Sequence, residues 1–168
     1  MNKNDLRLLY LYNSWANARI LSAAGNVSQE QFLATASFPH GGLRSTLTHV
    51  LFAEWLWRRR WEGESPTSWI KPEEFPEFRS LQTRWQIEAQ KLMAFVEDVR
   101  EEALHATFDY KTTAGEPKRD VLWQVMAHVV NHGTQHRSEA AALLTDFGHS
   151  PGDLDLIMYL RQMQAQKT

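Results

Sequence analysis

The sequence predicts an all-α protein, an antiparallel four-helix bundle with a short β-hairpin insert and a short C-terminal helix. Four long stretches carry apolar residues three and four positions apart, one short stretch alternates between apolar and polar residues, and runs rich in proline or glycine separate them. Neither an internal repeat nor a linker divides the 168 residues. We therefore expect a single domain over residues 1–168.

The expected long helices cover residues 5–24, 43–61, 78–103 and 120–147, and residues 150–153 precede the short terminal helix. Gly25 is expected to cap the first helix, and Asp120 is expected to be the N-cap of the fourth. Residues 26–42 are expected to be mainly a connection, and the proline-containing residues 62–76 are expected to form a long loop.

A β-hairpin is predicted between the third and fourth helices. Residues 107–112 alternate in character, and Ala114, Gly115 and Glu116 follow as a turn.

Composition excludes several classes of function. A net charge of −2 without a basic stripe gives no electrostatic reason to expect nucleic acid as a partner. No run approaches the roughly 18 apolar residues of a membrane helix, and the N-terminus lacks the apolar core of a signal peptide. We therefore expect a cytoplasmic protein. Because cysteine is absent, thiolate metal sites and cysteine nucleophiles are excluded.

Three histidines on the fourth predicted helix are spaced four residues apart: His128, His132 and His136. The outer two lie about 12 Å apart along the helix axis, too far to share one ion. On a helical wheel His136 falls near the middle of the apolar stripe and His132 within about 40° of it, whereas His128 lies on the polar shoulder. The inward pair is therefore His132 and His136.

A third inward-facing histidine, His49, is expected on the second helix, where apolar residues follow it at helical spacing. His40 lies in a predicted loop, His105 just before the hairpin and His149 after a helix end, so none of these is aimed by a buried face. Isolated histidines in an apolar stripe are usually hydrogen-bonded core residues. Three of them together would each need a polar partner, and a shared divalent metal ion satisfies all three at once.

The chain resembles the DinB-like (DinB/YfiT) superfamily of helix-bundle metalloproteins at three motifs. These are residues 12–17 (YNSWAN), residues 47–50 (LTHV) leading to Trp57, and residues 129–137 (VVNHGTQHR). The resemblance implies an antiparallel four-helix bundle, usually a homodimer, with a metal bound by His49, His132 and His136. One departure is that Ser138 and Glu139 stand where the family usually has Gly-Gln.

Three neutral imidazoles leave at least one position open on the ion, which is typical of a catalytic site. We expect Zn²⁺, with Ni²⁺ and Fe²⁺ as alternatives. The resemblance implies a metal-dependent transferase that uses a low-molecular-weight thiol, or a hydrolase, acting on a small-molecule substrate. The alternative is a non-catalytic metal-binding or stress-response bundle in which the metal is structural.

Other polar residues give weaker signals. Glu139 is the one candidate catalytic residue, as a hydrogen-bond acceptor for a ligand or a general base, although a solvated helix face would also explain it. Asn13 and Asn17 interrupt the apolar face of the first helix, as site-lining residues or as buried amides with polar partners.

Overall fold

The computed structural model describes residues 1–37 and 40–166, and in these ranges the chain is a helical bundle with one β-hairpin, as predicted. The elements in chain order are α1 (Lys3–Ala24), α2 (Gln29–Leu33), α3 (Leu43–Trp61), α4 (Phe78–Asp98), α5 (Glu101–Leu104), β1 (Thr107–Lys111), β2 (Pro117–Val121), α6 (Leu122–Asp146) and α7 (Leu156–Ala165). A single 3₁₀ turn, Pro72–Glu74, interrupts the segment between α3 and α4.

The four long helices form a ring in which α4 and α6 each pack between α1 and α3. Helices α1 and α6 run in the same direction, because Tyr10 near the start of α1 donates to the carbonyl of Met126 and later turns of α1 meet Arg137. The neighbours α1 and α4 are antiparallel, since the Lys3 ammonium donates to the carbonyl of Glu97 at the far end of α4.

Helices α3 and α4 are also a parallel pair. Glu54 contacts Trp85, and one turn further Arg58 contacts Glu88. Because the two helices start at the same end of the bundle, the chain between them must return along the full length of α3. Residues 62–77 make this return. Neighbouring helices are therefore antiparallel in the pairs α1–α4 and α3–α6. They are parallel in the pairs α1–α6 and α3–α4.

The core consists of two apolar clusters, one toward each end of the bundle. On each long helix, buried polar residues lie between the residues that belong to one cluster and those that belong to the other. These residues are Asn13 and Asn17 on α1, Glu54 on α3, Glu88 on α4 and Arg137 on α6. A polar layer therefore separates the clusters and involves all four helices.

Glu54 lies at the centre of this layer. Its Oε1 accepts hydrogen bonds from the amides of Asn13 and Asn17 at 2.7 and 2.8 Å, and its Oε2 accepts from the indole of Trp85 at 2.8 Å. The same two asparagines accept hydrogen bonds from the Arg137 guanidinium, at 2.5 and 2.9 Å. Burial raises the pKa of Glu54, and the three N–H donors oppose that rise. Asn13 and Asn17 are thus buried amides with polar partners.

A buried ion pair lies beside this network. Arg58 donates two hydrogen bonds to the fully buried carboxylate of Glu88 and a third to Glu62, one turn along α3, at 2.6 Å. Bidentate pairing of this kind compensates for the cost of taking both charges out of water.

Two sequence predictions about local structure were wrong. Asp120 is not an N-cap: it lies in β2 opposite Phe108, and its carboxylate accepts a hydrogen bond from Tyr110 at 2.8 Å. Helix α6 therefore begins at Leu122, with Val121 as its N-cap. The third long helix ends at Asp98, because Val99 adopts an extended conformation. The connection expected over residues 26–42 includes the short helix α2. Gly25 does cap α1, as predicted.

Within the described ranges, no helix combines the length and the apolar character that spanning a bilayer requires.

Because Gly133 has no side chain, the Arg137 guanidinium can lie against the backbone of α6 at this position. A Cβ atom at this position would lie 2.6 Å from Nη1 of Arg137 and 3.1 Å from Oδ1 of Asn13. Real Cβ atoms do not approach neighbours so closely, and the guanidinium cannot move without breaking its hydrogen bonds to α1.

We predict that Gly133→Ala lowers the free energy of unfolding by about 1–3 kcal/mol, the usual cost of overpacking. Higher helix propensity alone would make the same change stabilising by about 1 kcal/mol. Chemical denaturation measures the difference, with Gln135→Ala on the exposed face of α6 as the matched control. A Gly133→Ala variant as stable as wild type would show that Arg137 is not held in this position.

Candidate metal centre

The site lies where α3 and α6 meet, next to the polar layer. His49 precedes Glu54 by five residues on α3, and His136 directly precedes Arg137 on α6. The hydrogen bonds that fix Glu54 and Arg137 relative to α1 therefore also fix the positions of α3 and α6 from which the histidines extend.

The three histidines predicted from the sequence come together at this point. Nε2 of His49 lies 3.1 Å from Nε2 of His132. The ring centroid of His136 lies 4.5 Å from that of His49 and 4.4 Å from that of His132. His136 is buried, and the other two are half-buried.

A fourth histidine, His40, joins them. Its ring stacks on His49 with the centroids 4.0 Å apart, and it meets the edge of His136 at 4.8 Å. His40, His49 and His136 each offer one ligand atom, and these atoms all lie within 4.8 Å of one another. His40 was not predicted as a ligand, because it lies in a loop and not on a buried helical face. One feature of the sequence could have indicated it: His40 lies three residues before α3 and is followed by two glycines.

Glu139 contacts the site through His136. Its Oε2 lies 2.8 Å from Nδ1 of His136, at a separation of three residues along α6. A carboxylate at this distance favours a proton on Nδ1, which leaves the lone pair on Nε2 for a metal. Glu139 thus orients an imidazole, and its direct role in a reaction stays a prediction.

Three of the imidazoles, those of His40, His49 and His132, are in the neutral form that a metal requires. Burial, reinforced by the neighbouring histidines, lowers the pKa of His49 to about 3 and that of His132 to about 4. Burial also lowers the pKa of His40. None of these three rings therefore needs to lose a proton to bind an ion near neutral pH.

A set of imidazole nitrogens suits a divalent ion that is intermediate between hard and soft, such as Zn²⁺. Four nitrogen ligands at 2.0–2.1 Å in a tetrahedron are separated from one another by roughly 3.4 Å, close to the 3.1 Å between the Nε2 atoms of His49 and His132. In their neutral form these two nitrogens repel unless a proton or a cation lies between them. Nδ1 of His132 is buried without a hydrogen-bond partner among the described residues, so the ring has no other polar contact that would hold it there.

His128 neighbours this cluster, with its ring centroid 5.7 Å from that of His132 and 6.0 Å from that of Trp57. It is exposed on α6, as its position on the polar shoulder predicts. His105 follows α5 and is exposed, and His149 lies in the turn after α6.

A cavity of about 220 Å³ opens beside the histidines. His40 and His49 form one wall, and Phe52 and Trp69 form an aromatic wall in which the two rings stack at 4.5 Å. Trp69 is 54% exposed, so this wall borders solvent. The remaining lining residues are Ser45, Thr48, Ile70 and Pro72.

Fold and site together define a helix-bundle protein with an interhelical histidine cluster that could hold a metal ion. The sequence model of the DinB family matches residues 1–167, so the chain belongs to the DinB family. It is also 21% identical, over 166 residues, to Protein DinB of Bacillus subtilis (strain 168), in an alignment that covers 95% of each chain.

We predict about one divalent ion per chain, and loss of that ion from each of His49→Ala, His132→Ala and His136→Ala, because each removes one imidazole of the expected set. Elemental analysis of protein purified without a histidine tag measures the metal content. His128→Ala is the matched control on the same helix and should keep its metal. Full retention of metal in any of the first three variants would remove that residue from the ligand set.

Proposed function

We propose that this chain is a metal-dependent enzyme that acts on a small molecule, with the ion held by His49, His132 and His136. The observation that carries the proposal is that imidazoles from two helices converge and that one of them, His49, lines an open cavity. A purely structural metal is normally enclosed by four protein ligands, with no space left for a substrate. Zn²⁺ suits the imidazole set, with Ni²⁺ and Fe²⁺ as alternatives.

The cavity supports a small substrate with an apolar part. Its volume of about 220 Å³ lies below the roughly 300–1,000 Å³ of typical drug-sized sites. Phe52 and Trp69 offer flat aromatic surface to the apolar part, and Ser45 and Thr48 also line the cavity. The hydroxyl of Thr48 donates to the carbonyl of Arg44, so Ser45 is the more available of the two.

Transfer to or from a low-molecular-weight thiol is the reaction that we propose, because the family resemblance implies it. A divalent ion at the imidazoles would supply the positive charge that stabilises a thiolate or a hydroxide. In the proposed transfer, a C–S bond forms as the bond from carbon to its leaving group breaks. The leaving group departs with the bonding electrons, and the thiol proton passes to solvent.

Hydrolysis is the second candidate, and the cavity lining favours it less. Most hydrolytic reactions need a general acid to protonate a poor leaving group. No carboxylate lines the described part of the cavity, and Glu139 is engaged with Nδ1 of His136. Displacement by a thiolate at an activated carbon needs no such acid.

A non-catalytic metal-stabilised bundle is the alternative class. The observation that favours it is that His40 stacks directly on His49 and brings a fourth imidazole to the cluster. Such a set could close the coordination of the ion.

We predict that the Zn²⁺-loaded protein consumes a simple thiol, cysteine, together with chlorodinitrobenzene as the electrophile. The rate should fall to that of the protein-free solution in His136→Ala and stay unchanged in His128→Ala, because only the first removes an expected ligand. Thiol titration and absorbance of the product measure the reaction. Thiol-independent release of nitrophenol from nitrophenyl acetate would favour hydrolysis instead, and the absence of both reactions would favour the non-catalytic bundle.

We also propose that the chain forms a homodimer, as the family resemblance implies. Large apolar side chains on the surface support this proposal, among them Ile87 on α4 and Ile157 and Met158 on α7. Light scattering at micromolar concentration should give twice the mass of one chain. A mass of one chain, unchanged on concentration, would contradict the proposal.

A further inference from the structure

We propose that His40 is a fourth ligand to the ion in the resting protein and that a small molecule gains access to the metal by displacing it. The inference rests on the proposed metal site and concerns the exchangeable position of that site. It assigns a coordinating role to a residue outside the helical motifs.

The geometry of the rings is the first argument. The imidazole of His40 stacks on His49 at 4.0 Å and meets His136 at 4.8 Å, so it lies against two expected ligands at once. Its ligand atom falls in the same 4.8 Å group as theirs. Among the described residues it makes no hydrogen bond that would explain its position as that of a structural side chain. Three helix-borne imidazoles and His40 together supply the four nitrogens of a tetrahedral site.

The backbone after His40 is fixed by two glycines. Gly41 has a φ of 80°, and its carbonyl accepts a hydrogen bond from the amide of Ala36 at 3.0 Å. Gly42 has a φ of 143°, and a Cβ atom there would lie 2.3 Å from the carbonyl oxygen of Ala34. Only glycine fits this contact. The segment is therefore held against residues 34–36, which directs the chain at His40 toward the start of α3.

His40 differs from the helical histidines in how it is supported. His49, His132 and His136 extend from long helices that the polar layer holds together, and Glu139 orients His136. His40 extends from a turn and is half-buried. Of the four ligands it is therefore the one whose displacement disturbs the least packing.

His40 also lines the 220 Å³ cavity next to Trp69 and Phe52. Movement of this ring away from the cluster would join the coordination sphere of the ion to the cavity. A bound His40 would close the site to weak ligands, and a thiolate that binds the ion more strongly would open it. The same residue would thus make the site appear closed at rest and open in the presence of a substrate.

Cobalt substitution tests the inference, with azide as the probe ligand. Wild-type protein, His40→Ala and the control His128→Ala are loaded with Co²⁺, and their visible spectra are recorded with increasing azide. We expect His40→Ala to keep one cobalt per chain, to change and weaken its visible bands because water replaces an imidazole, and to bind azide more tightly. If His40 occupies the position nine-tenths of the time, the gain in azide affinity is about tenfold. His128→Ala should match wild type.

A second variant guards against misfolding of the first. Gly42→Ala keeps His40 in the sequence but forces its segment away from Ala34, which moves the imidazole away from the ion. It should therefore reproduce the spectrum of His40→Ala while circular dichroism stays that of wild type.

Identical spectra and azide affinities in wild type and His40→Ala would overturn the assignment of His40 while leaving the proposed three-histidine site intact. Loss of all cobalt from His40→Ala would overturn the proposal that His40 is a displaceable ligand, since the other three histidines would then be insufficient to hold the ion. Wild-type protein that takes up no cobalt would overturn the metal site itself, and with it this inference.

Discussion

The hydrogen bonds between Arg137, the asparagines of α1 and Glu54 are the constraint on which the rest of the structure depends. A buried carboxylate or guanidinium without partners would cost several kcal/mol, so α1, α3 and α6 can pack only in the arrangement that brings all these groups together. Trp85 adds α4 to the same layer. Apolar packing tolerates small shifts along a helix, whereas this layer does not. Its role is therefore to determine the relative positions of the helices.

The histidine cluster follows from that alignment. His136 is adjacent to Arg137, and His49 lies between one and two turns from Glu54, so both rings are fixed by the same hydrogen bonds. The polar layer lies between the two apolar clusters, and the imidazoles lie beside it at the contact between α3 and α6. Burial then keeps the rings of His49 and His132 neutral, which is the form that binds a metal. The open cavity beside His49 is what separates this site from an enclosed structural one.

Much of this was predictable from the sequence, and the exceptions have physical causes. Helical periodicity placed His49, His132 and His136 inward, because orientation on a helix depends only on spacing. His40 escaped the same reasoning because its position depends on two glycine conformations and on contacts with residues 34–36, which no local pattern specifies. Asp120 is a good N-cap residue by type, yet pairing with β1 takes its backbone into a strand. The parallel helix pairs depend on the path of residues 62–77. The composition of this segment predicts a loop but does not predict where the loop runs.

The central claim is that an ion binds between α3 and α6 through the imidazoles of His49, His132 and His136. A crystal structure of the Zn²⁺-loaded protein, with anomalous data on both sides of the zinc absorption edge, tests it most directly. We expect a single anomalous peak per chain at the α3–α6 contact, about 2.0–2.1 Å from one nitrogen of each of the three rings. A peak elsewhere on the chain, such as at His128, or zinc-loaded crystals with no peak between these helices, would contradict the claim.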